Sequence, residues 1–128
     1  MERDFKGTFG DFLQMKRGEV GLTIKEVAQR LNISSAYYSY FESGDRKAPD
    51  RLMLDKMAYI LELNPEEHLL LYDLAGKTRG NVAADLPDYI NGNPYVRVAL
   101  RKARDSKVSM EKWIAFIEQC EAPQEAGT

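Results

Sequence analysis

Apolar residues recur along the chain at helical intervals, and no stretch alternates apolar and polar positions as a half-buried strand does. Thr8 opens a first helix, with Asp11 three residues on. Phe9, Phe12 and Leu13 form its stripe, and Gly18 and Gly21 flank its end. Thr23 and Glu26 then read as a capping box, with Leu22 and Val27 as the apolar staple across it. This second helix is short, from about Ile24 to Arg30. Ser34 caps a third, from Ser35 to Glu42 or Ser43, which Gly44 stops. A polar loop to Pro49 precedes a fourth helix, about Asp50 to Leu61, with Leu54, Met57, Ala58 and Leu61 at core spacing. Asn64, Pro65, Glu66 and Glu67 supply a cap, a first-turn proline and first-turn acids for a fifth, expected to end at Ala75 with Gly76 as its cap.

Lys77 to Asp88 lacks periodicity and reads as a connector, with a turn of helix about Pro87 to Ile90. Two more helices are expected, one from Asn93 and Pro94 to about Asp105, the other capped by Ser109. On the latter Trp113, Phe116, Ile117 and Cys120 share one face. From Glu121 the tail is polar and expected to fray. The fold class is therefore all-α: a five-helix domain over residues 1–78, then a small two-helix C-terminal extension over 79–128. The wide apolar stripe of the helix holding Val96, Val98, Ala99, Leu100 and Ala103 calls for a second packing partner, and a homodimer through the C-terminal helices is the expectation; a monomer whose last helices cover the first domain is the alternative.

Composition narrows the chemistry. The 128 residues are 44% hydrophobic with formal net charge -2. From Lys16 to Arg51, however, seven basic residues face five acidic ones, so this window carries +2 and the rest about -4. A local basic rim can act on a neutral body because charge is screened beyond about 10 Å. One cysteine and one histidine, Cys120 and His68, do not make a four-ligand metal site, and no catalytic grouping or Gly-rich phosphate loop is present. The expectation is no enzyme, no cofactor and no metal. His68 reads as a surface or half-buried side chain and Cys120 as packing. Met1 to Asp11 holds no apolar run of a signal peptide and no stretch suits a membrane, so a soluble, cytoplasmic protein is expected.

The informative segment is Thr23 to Gly44, two short helices joined by Leu31, Asn32 and Ile33. Such a unit needs a small residue where the helices touch (Ala28), a turn residue tolerant of positive φ (Asn32), and apolar anchors on both helices, here Val27, Leu31, Ile33, Tyr38 and Phe41. Taken with the Thr-Ile-Lys-Glu-Val-Ala run, the Ile-Ser turn, the Glu-x-Gly ending and the following proline, the segment from about Phe9 to Leu74 resembles the phage repressor and Cro group of helix-turn-helix proteins, the XRE family, whose domain is lambda-repressor-like. Two positions depart from the pattern: Ile24 stands where Gln often contacts a phosphate, and Asn32 where Gly is usual.

The resemblance implies a transcriptional regulator of double-stranded DNA, a repressor or an activator with the repressor preferred, with the third helix in the major groove. Ser35, Ala36, Ser39 and Tyr40 match base-facing positions, with Tyr37 close by and Ser34 at the same end. Thr23, Ser43, Arg46 and Lys47 match positions beside phosphates. Arg17 and Glu42 match a structural ion pair that orients the third helix. Base readout by so uncharged a surface rests on hydroxyls and on contact with thymine methyls. A protein-interaction module of antitoxin or inhibitor type, built on the same scaffold, is the alternative that Ile24 and the uncharged third helix keep open. Ordinary bundle aromatics are the plain reading of Tyr37, Tyr38, Tyr40 and Phe41.

Overall fold

A computed structural model describes residues 5–123, and among them every regular element is a helix. They are α1 (Phe9–Val20), α2 (Ile24–Leu31), α3 (Ser35–Ser43), α4 (Arg51–Ile60), α5 (Pro65–Arg79), α6 (Pro87–Asn91), α7 (Pro94–Asp105) and α8 (Met110–Glu121). The all-α class expected from the periodicity holds. The polar tail lies largely outside the described residues, as do residues 1–4. The chain forms two compact units that part between Tyr89 and Ile90.

In the first unit α1 packs on α3 and α5, α2 on α3 and α4, and α4 on α5. Phe12, Leu13, Val27, Tyr38, Phe41, Leu54, Met57 and Leu71 fill the centre, each at most 2% exposed. The starts of α1 and α2 are closed by reciprocal capping boxes, Thr8 with Asp11 and Thr23 with Glu26. At the crossing of α1 and α3 a Cβ on Gly10 would lie 2.1 Å from the carbonyl oxygen of Glu42, so only glycine lets the helices approach this closely. Lys16 is buried on α1, where its ammonium reaches Glu19 and the half-buried Glu67 of α5. Burial pulls the Lys16 pKa down, but the hydrogen bonds and charges of the two carboxylates outweigh it and leave it raised.

α5 runs one turn beyond the expected end at Ala75. Its left-handed cap is Gly80, and Gly76 lies inside the helix. The reason is tertiary: a Cβ on Gly76 would meet the carbonyl oxygen of Asn81 at 2.7 Å, because the chain folds back against this face and buries Ala83 in the core. The core is thus completed past Ala75, and residues 77–79 belong to a helix instead of a connector.

In the second unit α7 and α8 are joined by a tight turn in which Lys107 takes a positive φ of 54° and the Val108 amide bonds the Ala103 carbonyl. Asn93 and Ser109 cap the two helices through their side chains. No residue of either helix is buried: Trp113, Ile114, Phe116 and Ile117 are all exposed, and Cys120 is exposed as well. The packing expected for Cys120 is therefore not made within this unit, since a two-helix layer leaves its outer faces open.

Candidate nucleic-acid interface

The α2–turn–α3 unit is held by local chemistry. Asn32 takes φ 60° and ψ 42°, the left-handed conformation that ends α2, and its amide bonds back to Ala28 and Gln29. The Ile33 amide bonds the Ala28 carbonyl at 3.0 Å, which fixes the turn. Ile24, at the position where the resemblance leads one to look for a polar side chain, is half-buried against the core instead.

α3 has two faces. Tyr38 and Phe41 are buried and anchor it. Ser35, Ala36 and Tyr40 are exposed and Ser39 is half-buried, so the four residues expected at base edges sit on accessible backbone of one helix, without a charge among them. The Ser34 and Thr23 hydroxyls accept the capping bonds from the Tyr37 and Glu26 amides, which leaves the proton of each free to be donated outward. Ser43 differs: its hydroxyl donates to Asp45 at 2.9 Å and accepts from the Asp45 amide, shaping the loop after α3.

That loop presents Arg46 and Lys47, both exposed. The Arg46 guanidinium lies 5.0 Å from the centre of the Tyr37 ring, and Tyr37 is itself half-buried, its ring edge-on to Phe41 at 5.0 Å. Tyr37 thus serves as a platform under Arg46 as well as lying near the exposed face. Tyr37, Tyr40, Arg46, Lys47, Met53 and Arg79 line an open cleft of about 850 Å³ beside α3. Arg79 was not singled out from sequence, because residues 77–88 read as a connector; a basic pair, Lys77 and Arg79, just before Gly80 was the available sign of a helix end there.

Behind α3, Arg17 holds Glu42 through two contacts, Nε to Oε2 at 2.7 Å and Nη2 to Oε1 at 3.1 Å, and donates a third bond to the Leu22 carbonyl. The bond to Glu42 raises the Arg17 pKa against the opposing effect of burial. Tyr38 lies beside this pair with its hydroxyl buried and no hydrogen-bond partner within bonding geometry. Burial, and then the Glu42 carboxylate, push its phenol well above the usual range.

A second cluster, not anticipated, joins α4 to α5. Asp55 accepts a bond from the Tyr72 hydroxyl and pairs with His68 Nε2 at 2.9 Å, while Arg51 lies over the Tyr72 ring. Burial raises the Asp55 pKa, but the bonds from Tyr72 and His68 more than offset it and leave it lowered. His68 is half-buried in a structural contact. Among the described residues no group of three or more His, Cys, Asp or Glu side chains gathers to hold a metal ion, and no helix is long and apolar enough to cross a membrane.

Comparison with protein families matches residues 8–71, half of the chain, to the family described as "Helix-turn-helix domain". Among solved structures, a chain from one titled SinR protein/SinI protein complex aligns at 19% identity, covering 89% of this chain and 95% of that one, with a TM-score of 0.44. No curated protein matches the chain.

Proposed function

The chain belongs to the helix-turn-helix domain family, in keeping with its resemblance to XRE-type regulators, and from that premise we propose that it is a transcriptional repressor that reads double-stranded DNA with α3 in the major groove. The observation that carries this reading is the two-faced character of α3. Tyr38 and Phe41 tie one side to the core, while Ser35, Ala36 and Tyr40 stand bare on the other. A short helix anchored so firmly and left accessible along its polar side suits insertion in a groove about 12 Å wide. Ser35, Ala36, Ser39 and Tyr40 take the base edges. Thr23, Ser34, Arg46 and Lys47 take phosphates, the first two through hydroxyl protons that their capping bonds leave free, while Ser43, its proton given to Asp45, shapes the loop that presents Arg46 and Lys47.

The second unit supplies the two-fold symmetry. α7 and α8 expose Val98, Leu100, Trp113, Ile114, Phe116 and Ile117, and a second copy is the covering surface, giving a homodimer with one recognition helix per half-site. The protein carries out no reaction and needs no cofactor in this reading, and it acts in the cytoplasm, where its DNA lies. Selection of bound duplex from a random pool tests the proposal. Enrichment of a two-fold symmetric site is expected. A pool unchanged after several rounds removes DNA as the ligand and leaves the protein-interaction module in its place.

A further inference from the structure

Ala48 is a loop residue only 2% exposed, and both of its backbone polar groups are held by consecutive side chains at the end of α5. Its amide donates to the Thr78 hydroxyl oxygen at 2.8 Å, and Thr78 in turn donates to the Ala75 carbonyl. Its carbonyl accepts a bond from Arg79 Nη1 at 2.9 Å. The loop that carries Arg46 and Lys47 is thereby stapled to a helix outside the helix-turn-helix unit, 31 residues away in sequence.

A guanidinium has five N–H donors, and the Ala48 carbonyl engages one. Arg79 stays exposed and lines the same cleft as Arg46, Lys47, Tyr37 and Tyr40. The charge of that cleft depends on it. Arg46 and Lys47 are balanced by Asp45 and Asp50, so Arg79 alone makes the lining positive. The two acids are also turned to their own chain: Asp45 accepts from the Ser43 hydroxyl, and Asp50 caps α4 through the Met53 amide. An arginine already fixed by one bond loses little freedom on making another, and its fork suits a phosphodiester oxygen. Resting on the DNA-binding reading above, we propose that Arg79 is a further backbone-phosphate contact, lent by α5 to the DNA surface of α3 and its following loop.

The test is the salt dependence of binding by the full-length protein to its selected duplex. For Arg79→Gln, which removes the charge, the slope of log K against log salt should shrink by about one unit with the preferred bases unchanged. Arg79→Lys should keep the wild-type slope, and Thr78→Val, which removes only a loop tether, should keep it too. Thermal unfolding confirms that each variant is folded. If Arg79→Gln keeps the full slope while Arg46→Ala reduces it, Arg79 is a tether alone and the proposal is overturned. It is equally overturned if Arg79→Lys loses as much slope as Arg79→Gln, since charge is then not the cause. A wild-type protein that selects no duplex sinks the DNA reading itself, a different outcome from either.

Discussion

Arg17 and Glu42 meet side on, with guanidinium Nε and Nη2 each 2.7–3.1 Å from a carboxylate oxygen, and so tie the end of α1 to the last turn of α3. Both side chains are largely buried, 17% and 8% exposed. Removing one partner of such a pair leaves the other charge uncompensated, which typically costs about 3–5 kcal/mol. Glu42→Ala should therefore lower stability by about 3 kcal/mol, the lower end, because Arg17 keeps its bond to the Leu22 carbonyl. The double variant Arg17→Ala with Glu42→Ala should cost clearly less than the sum of the single changes. Urea unfolding of the four proteins measures the coupling; additive losses would mean that the two residues do not act as a pair.

The crossing that this pair secures also depends on Gly10. Since a Cβ there would meet backbone at 2.1 Å, Gly10→Ala must push α1 and α3 apart. The expected loss is about 1–3 kcal/mol, the usual range for overpacking, despite alanine being the better helix former. Thermal melts decide it. A variant at least as stable as the parent would show that the helices part at no cost.

What was legible in the sequence followed from local rules. Thr8, Thr23, Ser34 and Asn64 announce their helices because a capping side chain acts within three residues, and Asn32 announces its turn because few side chains tolerate positive φ. The apolar anchors of α2 and α3 were readable from spacing alone. What was not legible depends on residues far apart. Gly10 looks like any helical glycine until α3 crosses it. Lys16 looks solvated until α5 brings Glu67 to it. Gly76 looks like a cap until the chain returns at Asn81. Arg79 joins the loop after α3 only through tertiary folding, so no window of sequence around the recognition helix contains it.

The Lys16–Glu67 contact predicts a specific response to acid. Burial raises the Glu67 pKa, but Lys16 and the Asn64 amide more than offset it and leave it below the ordinary 4.5. A carboxylate depressed in the folded state stabilises fully above its unfolded pKa, and that contribution is lost as pH falls through the folded value. Lys16, raised above 10.5, contributes throughout the neutral range and loses its share only as pH rises through its folded value. Glu67→Gln should thus be less stable by about 1–3 kcal/mol at pH 7. The gap to the parent should narrow below pH 4.5 as the parent's carboxylate protonates. Asp55, also depressed, titrates in both proteins and cancels from the difference. Urea unfolding at pH 7, 4 and 3 checks the sign; a gap that stays constant would assign the loss to packing.

Ala36 stands exposed near the start of α3, with a methyl group as its whole contact surface. Ala36→Gln introduces an amide able to pair with the N6 and N7 edge of adenine, a contact worth about 1–3 kcal/mol of discrimination. The preferred base should change at one position of each half-site while the melting temperature holds, because the residue is exposed. Repeating the duplex selection with the variant reads this out. The same consensus at the same affinity would remove Ala36 from the groove.

The assembly makes the sharpest demand on the second unit. Its exposed Trp113 and Phe116 pack edge to face at 6.4 Å on α8. Each large apolar side chain covered by a partner contributes about 1.5–3 kcal/mol, so several along α7 and α8 suffice to hold two chains together. Trp113→Asp and Phe116→Asp should therefore convert the proposed dimer to monomers while leaving the melting of the first unit unchanged. DNA affinity should fall steeply, because each monomer engages one half-site alone. A truncation ending at Gly92 should behave likewise; one ending at Lys77 removes the Thr78 and Arg79 staple and buried Ala83, and should be less stable than either. Sedimentation of the full-length protein at tens of micromolar gives the decisive number. A monomeric parent would refute the dimer; a dimer that survives both aspartate substitutions would move the interface away from α8.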